Sequence, residues 1–437
     1  MPFKYTPVVS FHVLRPGQIA ASEDIFASSD TPYSVSICVR CRGTKMLCGK
    51  SACPILVKYF ADNKVKKITS TQEMDGLSPP GVFIGRYGYP KVDIGPFIAP
   101  GEENTGIMDT PEMWVGKSLE EITQMRFSLV RGKHRARVDR PDGDRIHDLV
   151  QEISMSRTLP EIEVKFSNSP GVTFALDDSV QPFGRSGRIE RIIASTGRFD
   201  QKIEKAFFDT DLDARSAVEQ LYKSEVKVSA IQRAFSTGVF GIGKNRRMVP
   251  TRWSITAVDD MIGKAMLREN RYNDTLWDYR VYSYSALDNR WIILMLPTTW
   301  RYELIEAWYP NTTWNPTGKQ IWMISSHEFF SGRSEYAEIG GCYYAARLAV
   351  NELFRREGIQ AGVVIMRESH PGYIMPIGVW NVREHVRETL RTQPRSFESL
   401  AGAVSFISSV LDIPHERWMA HSSILRNFKD QRTLDQF

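Results

Sequence analysis

Four runs rich in aromatic and branched residues follow one another closely, Tyr279 to Leu287, Arg290 to Leu296, Tyr302 to Trp308 and Gln320 to Ser326. Such residues fit a pleated, half-buried surface, so the runs are expected to form a mostly antiparallel sheet. A helix is expected next from Gly341 to Glu357, then strands at Gly362 to Met366 and Tyr373 to Val379, then helices near Val382 to Leu390 and Phe397 to Leu411. Strands grouped together with helices gathered around them point to an α+β fold with a mixed, mostly antiparallel sheet, not to regular βαβ alternation.

Upstream, Ile55 to Lys66 reads as a short amphipathic helix, and Gly81 to Pro100 as short strands joined by tight turns. Ser118 and Glu121 form a capping box that opens a helix toward Val130, and a second helix is expected over Gly143 to Ser156. Ile162 to Phe166 should be a strand, Asp211 to Phe235 a helix broken in two, and Thr256 should start another helix. A length of 437 residues exceeds one ordinary core. The expected units are an N-terminal segment over 1–66, an α+β part over 67–235, a second over 236–414 and a flexible tail over 415–437. No run is long and apolar enough to span a bilayer, and Met1-Pro2-Phe3-Lys4 does not begin a secretory signal, so a cytoplasmic protein is expected.

Four of the five cysteines fall together as Cys38-x2-Cys41-x6-Cys48-x4-Cys53. A Cys-x2-Cys turn aims two thiolates at one point, and in a cytosolic chain this favours metal binding over disulfides. The expected ligand set is Cys38, Cys41, Cys48 and Cys53 around a zinc ion, with a redox pair or four unrelated thiols as the alternative. Four protein ligands leave no open position, so the zinc would be structural.

The net charge of +5 is compatible with nucleic acid without requiring it. Distribution says more: cations cluster from Arg126 to Arg140, including Arg135 and Arg137, and again at Lys244, Arg246, Arg247 and Arg252. Gly238 to Lys244 has the spacing of a nucleotide-binding loop. Asn245 stands where a magnesium-binding hydroxyl belongs, however, and Pro250 interrupts the helix that should follow. What survives is a Gly-rich loop whose cations Lys244, Arg246, Arg247 and Arg252 are expected to hold a phosphate, with a plain basic loop as the alternative.

Candidate chemistry lies at Arg252, which would neutralise phosphate, with Asp259 to bind a catalytic divalent metal or activate water. The bland alternative makes Thr256 a helix cap and Asp259 its reciprocal partner. His327, Glu368 and His370 follow expected strands, where loops carry acid–base groups.

The chain closes on Gln431-x-x-Leu434-x-x-Phe437. One helical turn puts Leu434 and Phe437 on one face, with Gln431 a turn earlier at the pocket edge. This resembles the peptide by which proteins bind the sliding clamp, proliferating-cell nuclear antigen (PCNA). Together with the cysteine pattern, Gly85-Arg86-Tyr87-Gly88-Tyr89-Pro90 and Val249-Pro250-Thr251-Arg252-Trp253-Ser254, it makes the chain resemble the archaeal Nre ("novel repair") family, most like its NreA branch. The resemblance implies a cytoplasmic DNA-repair protein acting with the clamp on DNA, and supplies no reaction. The expected function is a clamp-recruited phosphoester or related hydrolase. Its alternatives are a non-catalytic zinc-containing DNA-binding adaptor and a small-nucleotide-binding enzyme.

Overall fold

The protein is described by a computed structural model over residues 41, 43–139, 144–172, 183–195, 197–316 and 318–430. After α1 (Pro54–Thr69) come β1 (Glu73–Leu77), β2 (Val82–Ile84) and β3 (Lys91–Ile98), two short 3-10 turns, then α2 (Leu119–Phe127), β4 (Val130–Arg137), α3 (Arg145–Met155), β5 (Glu161–Phe166) and β6 (Ser186–Ala194). The six strands form one sheet in the order β1-β5-β6-β4-β3-β2. The capping box at Ser118 and Glu121 is formed as expected, with each side chain accepting the other's backbone N–H.

A helical layer comes next: α4 (Gln201–Phe208), α5 (Ala214–Lys223), α6 (Val228–Ser236) and α7 (Thr251–Asn270). The break expected within Asp211 to Phe235 falls between α5 and α6, where Glu225 takes a positive φ of 64°. α7 begins at Thr251, directly after Pro250, five residues ahead of the expected start. Thr256 is therefore inside the helix, which removes its role as a cap with Asp259 as partner.

The second sheet holds β8 (Tyr279–Ala286), β9 (Asn289–Leu296), β10 (Arg301–Trp308), β11 (Trp322–Glu328), β13 (Gly362–Ser369) and β14 (Arg395–Phe397). A two-residue pair, β7 (Asp274–Thr275) and β12 (Ile359–Gln360), stands apart. The order is β11-β10-β13-β9-β8-β14, antiparallel throughout except for the parallel pair β10 and β13. The mostly antiparallel α+β reading holds. Alternation divides each central strand: Tyr302, Leu304, Val363 and Ile365 face α8 (Gly341–Glu357) and α9 (Trp380–Thr389). Ile305, Ala307, Val364 and Met366 face α10 (Leu400–Val410), α11 (His415–His421) and α12 (Ser423–Asp430).

Two expectations fail here. Tyr373 to Val379 is not a strand: Tyr373, Ile374, Met375 and Ile377 fill the space beside Trp114 and Trp380, and Ile377 N–H bonds the Tyr373 hydroxyl instead of a neighbouring strand. Residues 415–430, expected as flexible tail, fold as α11 and α12. The cause is buried Glu303 on β10, which accepts the Ser423 and Ile424 amides at 3.0 and 3.1 Å and the Ser422 hydroxyl. A carboxylate at a helix start offsets its unpaired amides, and Trp418, Ile424 and Leu425 are buried against the sheet.

His385 on α9 is buried beside Trp291, its Nδ1 2.7 Å from the Asn381 carbonyl. Burial pulls its pKa down to about 4. A depressed folded pKa gives stability that is complete above the unfolded value near 6.5 and is lost as pH falls toward the folded one. This group should remove ~3 kcal/mol of unfolding free energy between pH 7 and pH 4. Urea titrations at both pH values should show that loss shrinking in His385→Phe; an identical pH dependence would contradict it.

Candidate nucleic-acid interface

β4 reads Val130-Arg131-Gly132-Lys133-His134-Arg135-Ala136-Arg137, and its pleat sorts the residues. Val130 and Ala136 enter the core, leaving Arg131, Lys133, Arg135 and Arg137 in a row on the other face, roughly 6.6 Å apart. Register places Lys91 of β3 beside Arg137 and Arg188 of β6 beside Lys133. Two carboxylates answer the row, Asp93 at 3.5 Å from Arg135 and Asp139 at 2.8 Å from Arg137. Burial, followed by repulsion from Arg131 and Arg188, lowers the Lys133 pKa. Arg131 is pushed down to about 10 by burial and stacks on Phe83 and Phe183 at 4.3 and 5.2 Å. Repulsion is therefore felt at the Arg131 and Lys133 end of the row, while Asp139 stabilises the charge of Arg137 at the other.

An aromatic rim borders it. Tyr87 is 77% exposed, with the Arg86 guanidinium 5.1 Å from its ring. Gly88 takes a φ of +79°, and a Cβ there would fall 2.1 Å from Arg135 Nη2, so the loop lies directly against the row. Arg135 Nη1 donates to the Tyr87 carbonyl at 3.3 Å. Tyr89 meets Trp253 at 5.6 Å between ring centroids, and Ile84 N–H donates to Thr251 Oγ1 at 2.9 Å. The Gly85–Pro90 loop and the start of α7, two segments far apart in sequence, therefore form one surface with exposed Arg252 beside them.

Of the phosphate-binding candidates, Arg135 and Arg137 belong to this row. Arg246 instead ties its own loop, donating to the Phe207 and Gly241 carbonyls at 2.7 and 3.3 Å, while Arg247 is exposed. Only the backbone of Lys244 is described. The Gly238–Lys244 loop comes after α6, a helix where a nucleotide-binding loop would follow a strand, and Val239 and Phe240 are core.

The five catalytic candidates are not one constellation. Asp259 is fully buried and held by Arg383 at 2.9 and 3.2 Å and by Gln232 at 2.9 Å. Burial pushes its carboxyl up to about 6, against the pull of Arg383. His327 sits on edge strand β11 opposite Glu303. Glu368 and His370 do meet, at 3.3 Å, on the sheet face opposite Arg383. Asp412, which sequence reasoning missed, joins them: the three ligand atoms lie within 4.8 Å of one another. The cluster already has partners. Glu368 accepts the Ile413 and Asp412 amides at 2.8 and 3.2 Å, Arg290 pairs with Asp412, and Tyr309 stacks on His370 at 4.2 Å. Two concavities of about 390 and 420 Å³ lie beside Trp322 and Tyr222, and none of Arg252, Asp259, His327 or Glu368 lines them.

The zinc module is not assembled among the described residues. Cys38 lies outside them, and the sulfurs of Cys41, Cys48 and Cys53 do not all come within 4.8 Å of one another. Cys41 nevertheless suits a thiolate ligand: backbone N–H groups, that of Leu47 foremost, hold its thiol below the ordinary range. Gln431, Leu434 and Phe437 also lie outside the described residues.

The sequence matches the family "Archaeal Nre, N-terminal" over residues 47–315 and "Archaeal Nre, C-terminal" over residues 328–437. It is 40% identical to DNA repair protein NreB of Archaeoglobus fulgidus, over 92% of this chain and 99% of that one. Identity to DNA repair protein NreA of the same organism is 34%, over 88% and 95%. DNA repair protein NreA of Haloferax volcanii is 28% identical, over 82% and 87%. The expected Nre family holds, whereas the identity to this NreB is higher than to either NreA, against the expectation of the NreA branch. No solved structure matches.

Gly88→Ala should force Arg135 away and place a Cβ in left-handed backbone, costing about 1–2 kcal/mol. A urea midpoint equal to that of the unmodified protein would refute the close approach of loop and row.

Proposed function

Because the chain belongs to the archaeal Nre family, we propose that it is a DNA-repair protein that grips DNA on the β4 cation row and the rim of Tyr87, Tyr89 and Trp253. The carrying observation is a row of cations bordered by the exposed Tyr87 and Tyr89, with Arg86 5.1 Å from the Tyr87 ring and Arg135 donating to the Tyr87 carbonyl. Cations at strand spacing neutralise successive phosphates, and aromatic faces stack on unpaired bases without regard to sequence. The names of the relatives, DNA repair proteins, agree.

Gln431, Leu434 and Phe437 would bring this face to the sliding clamp, and Cys38, Cys41, Cys48 and Cys53 would hold a structural zinc that fixes the N-terminal segment against the body. Among the described residues no helix is long and apolar enough to cross a membrane. Binding is favoured over hydrolysis because Asp259 is committed to Arg383 and Glu368 to backbone amides. A second reading, metal-assisted phosphoester hydrolysis, rests on the Glu368, His370 and Asp412 group. Turnover of damaged DNA by metal-loaded protein that disappears in His370→Ala would favour it over the binding role.

Fluorescence anisotropy with single-stranded and duplex oligonucleotides tests the grip. Tyr87→Ala should weaken single-strand binding by ~1–3 kcal/mol. Arg135→Ala should weaken both and lower the salt slope by roughly 0.7–0.9. Unchanged affinity and slope in both variants would remove this face from the interface. Deleting Gln431 to Phe437 should abolish co-elution with the clamp while DNA affinity persists, and replacing Cys38 and Cys41 by Ser should lose the bound zinc. Retained co-elution, or retained zinc, would overturn the corresponding assignment.

A further inference from the structure

The outer face of the first sheet is divided by charge, and the division gives the β4 row a direction. On β1, β5 and β6 the outward positions carry Glu73, Asp75, Glu161, Glu163 and Glu190, all exposed, with Lys165 at 3.9 Å from Glu73 and 3.5 Å from Glu190. Register sets Asp75 beside Glu163, two like charges facing each other across β1 and β5. β6 stands between β5 and β4 and sets Arg188 beside Lys133. A phosphate backbone is therefore repelled from one half of the sheet and drawn to the other, a lane along β4.

The lane is short and its ends differ. At one end Phe83 and Phe183 stack on the Arg131 guanidinium and cover it. From Lys133 to Arg137 the strand runs about 13 Å, the length of roughly four nucleotides along one strand of a duplex. The other end meets the Gly85–Pro90 loop, because Lys91, which opens β3 directly after that loop, is the register partner of Arg137. The loop is pinned there: Gly85 N–H donates to the Asp93 carbonyl at 2.7 Å and Lys91 N–H to the Gly88 carbonyl at 2.9 Å. Tyr89 leans on Trp253, which leaves Tyr87 as the ring standing clear where the lane stops.

We propose that this face selects a junction of duplex and single-stranded DNA, with the last paired nucleotides along the lane and the first unpaired base stacked on Tyr87; the inference rests on the reading of the face as a DNA grip. Neither uniform substrate uses both parts. A continuous duplex keeps its bases stacked inside and offers Tyr87 no ring face. A single strand gains most from successive stacking platforms, whereas one clear ring closes this lane. A junction supplies phosphates of fixed spacing and, immediately beyond them, an unstacked base. The pinned loop holds Tyr87 in place before DNA arrives, so little ordering is needed on binding.

The test compares the affinity of the full chain for a single strand, a blunt duplex, and the same duplex carrying a 5′ or a 3′ overhang, all at one salt concentration. One overhang polarity should bind at least tenfold tighter than the blunt duplex and the single strand. An abasic nucleotide at the first unpaired position keeps the charge and removes the ring, and should bring the junction down to the blunt level. Tyr87→Ala should do the same, while Tyr87→Phe, which keeps the ring on an exposed loop, should retain the preference. Equal affinity for junction and blunt duplex in the wild type, or a preference that survives Tyr87→Ala or the abasic substitution, would overturn junction selection and leave the grip itself standing. DNA binding indifferent to both Arg135→Ala and Tyr87→Ala would instead remove the face as a grip, and the junction with it.

Discussion

Asp259 and Arg383 meet where both side chains are shut off from water, and the placement of α7 depends on that meeting. The next residue, Asp260, pairs with Arg347 of α8, whose other nitrogen reaches Glu328 on β11 at 2.9 Å. Two adjacent carboxylates thus bind one helix to α9 and α8 together. The far end of the same helix accepts an amide from β2 through Thr251. α7 is the shaft between the two sheets, and removing one member of its buried pair would strand a charge at a cost of about 3–5 kcal/mol.

That arrangement explains why the catalytic reading of Asp259 fails. In sequence, Arg252, Thr256 and Asp259 look like a cation, a hydroxyl and an acid at a loop–helix junction. Nothing local reveals a guanidinium 124 residues away that claims the carboxylate. Glu368 is similar: its amide partners come from a turn 44 and 45 residues later. Chemistry-bearing residue types were visible, whereas their commitments were contacts of long sequence separation.

Legibility of the fold divides the same way. The helix over Gly341–Glu357 was readable to its ends because glycines with positive φ, Gly340 and Gly358, bound it. The strands from β8 to β10 announced themselves by aromatic and branched alternation. β4 did not, since its inward residues are small and its outward ones cationic, so a strand passed for a basic cluster. That disguise hid the candidate interface too: the signal was Arg131, Lys133, Arg135 and Arg137 at a period of two, the repeat of a strand.

The docking of α12 limits the reach of the chain beyond it. Arg301 holds Asn427, Tyr279 packs on Phe428, and Glu303 fixes the helix start, so the helix is anchored up to its last turn. Covalent geometry then sets a leash. Leu434 is four residues beyond Asp430, and four residues span at most about 14 Å. Any partner that takes the Leu434 side chain must therefore stand almost against the globular body, meeting a surface as well as a peptide.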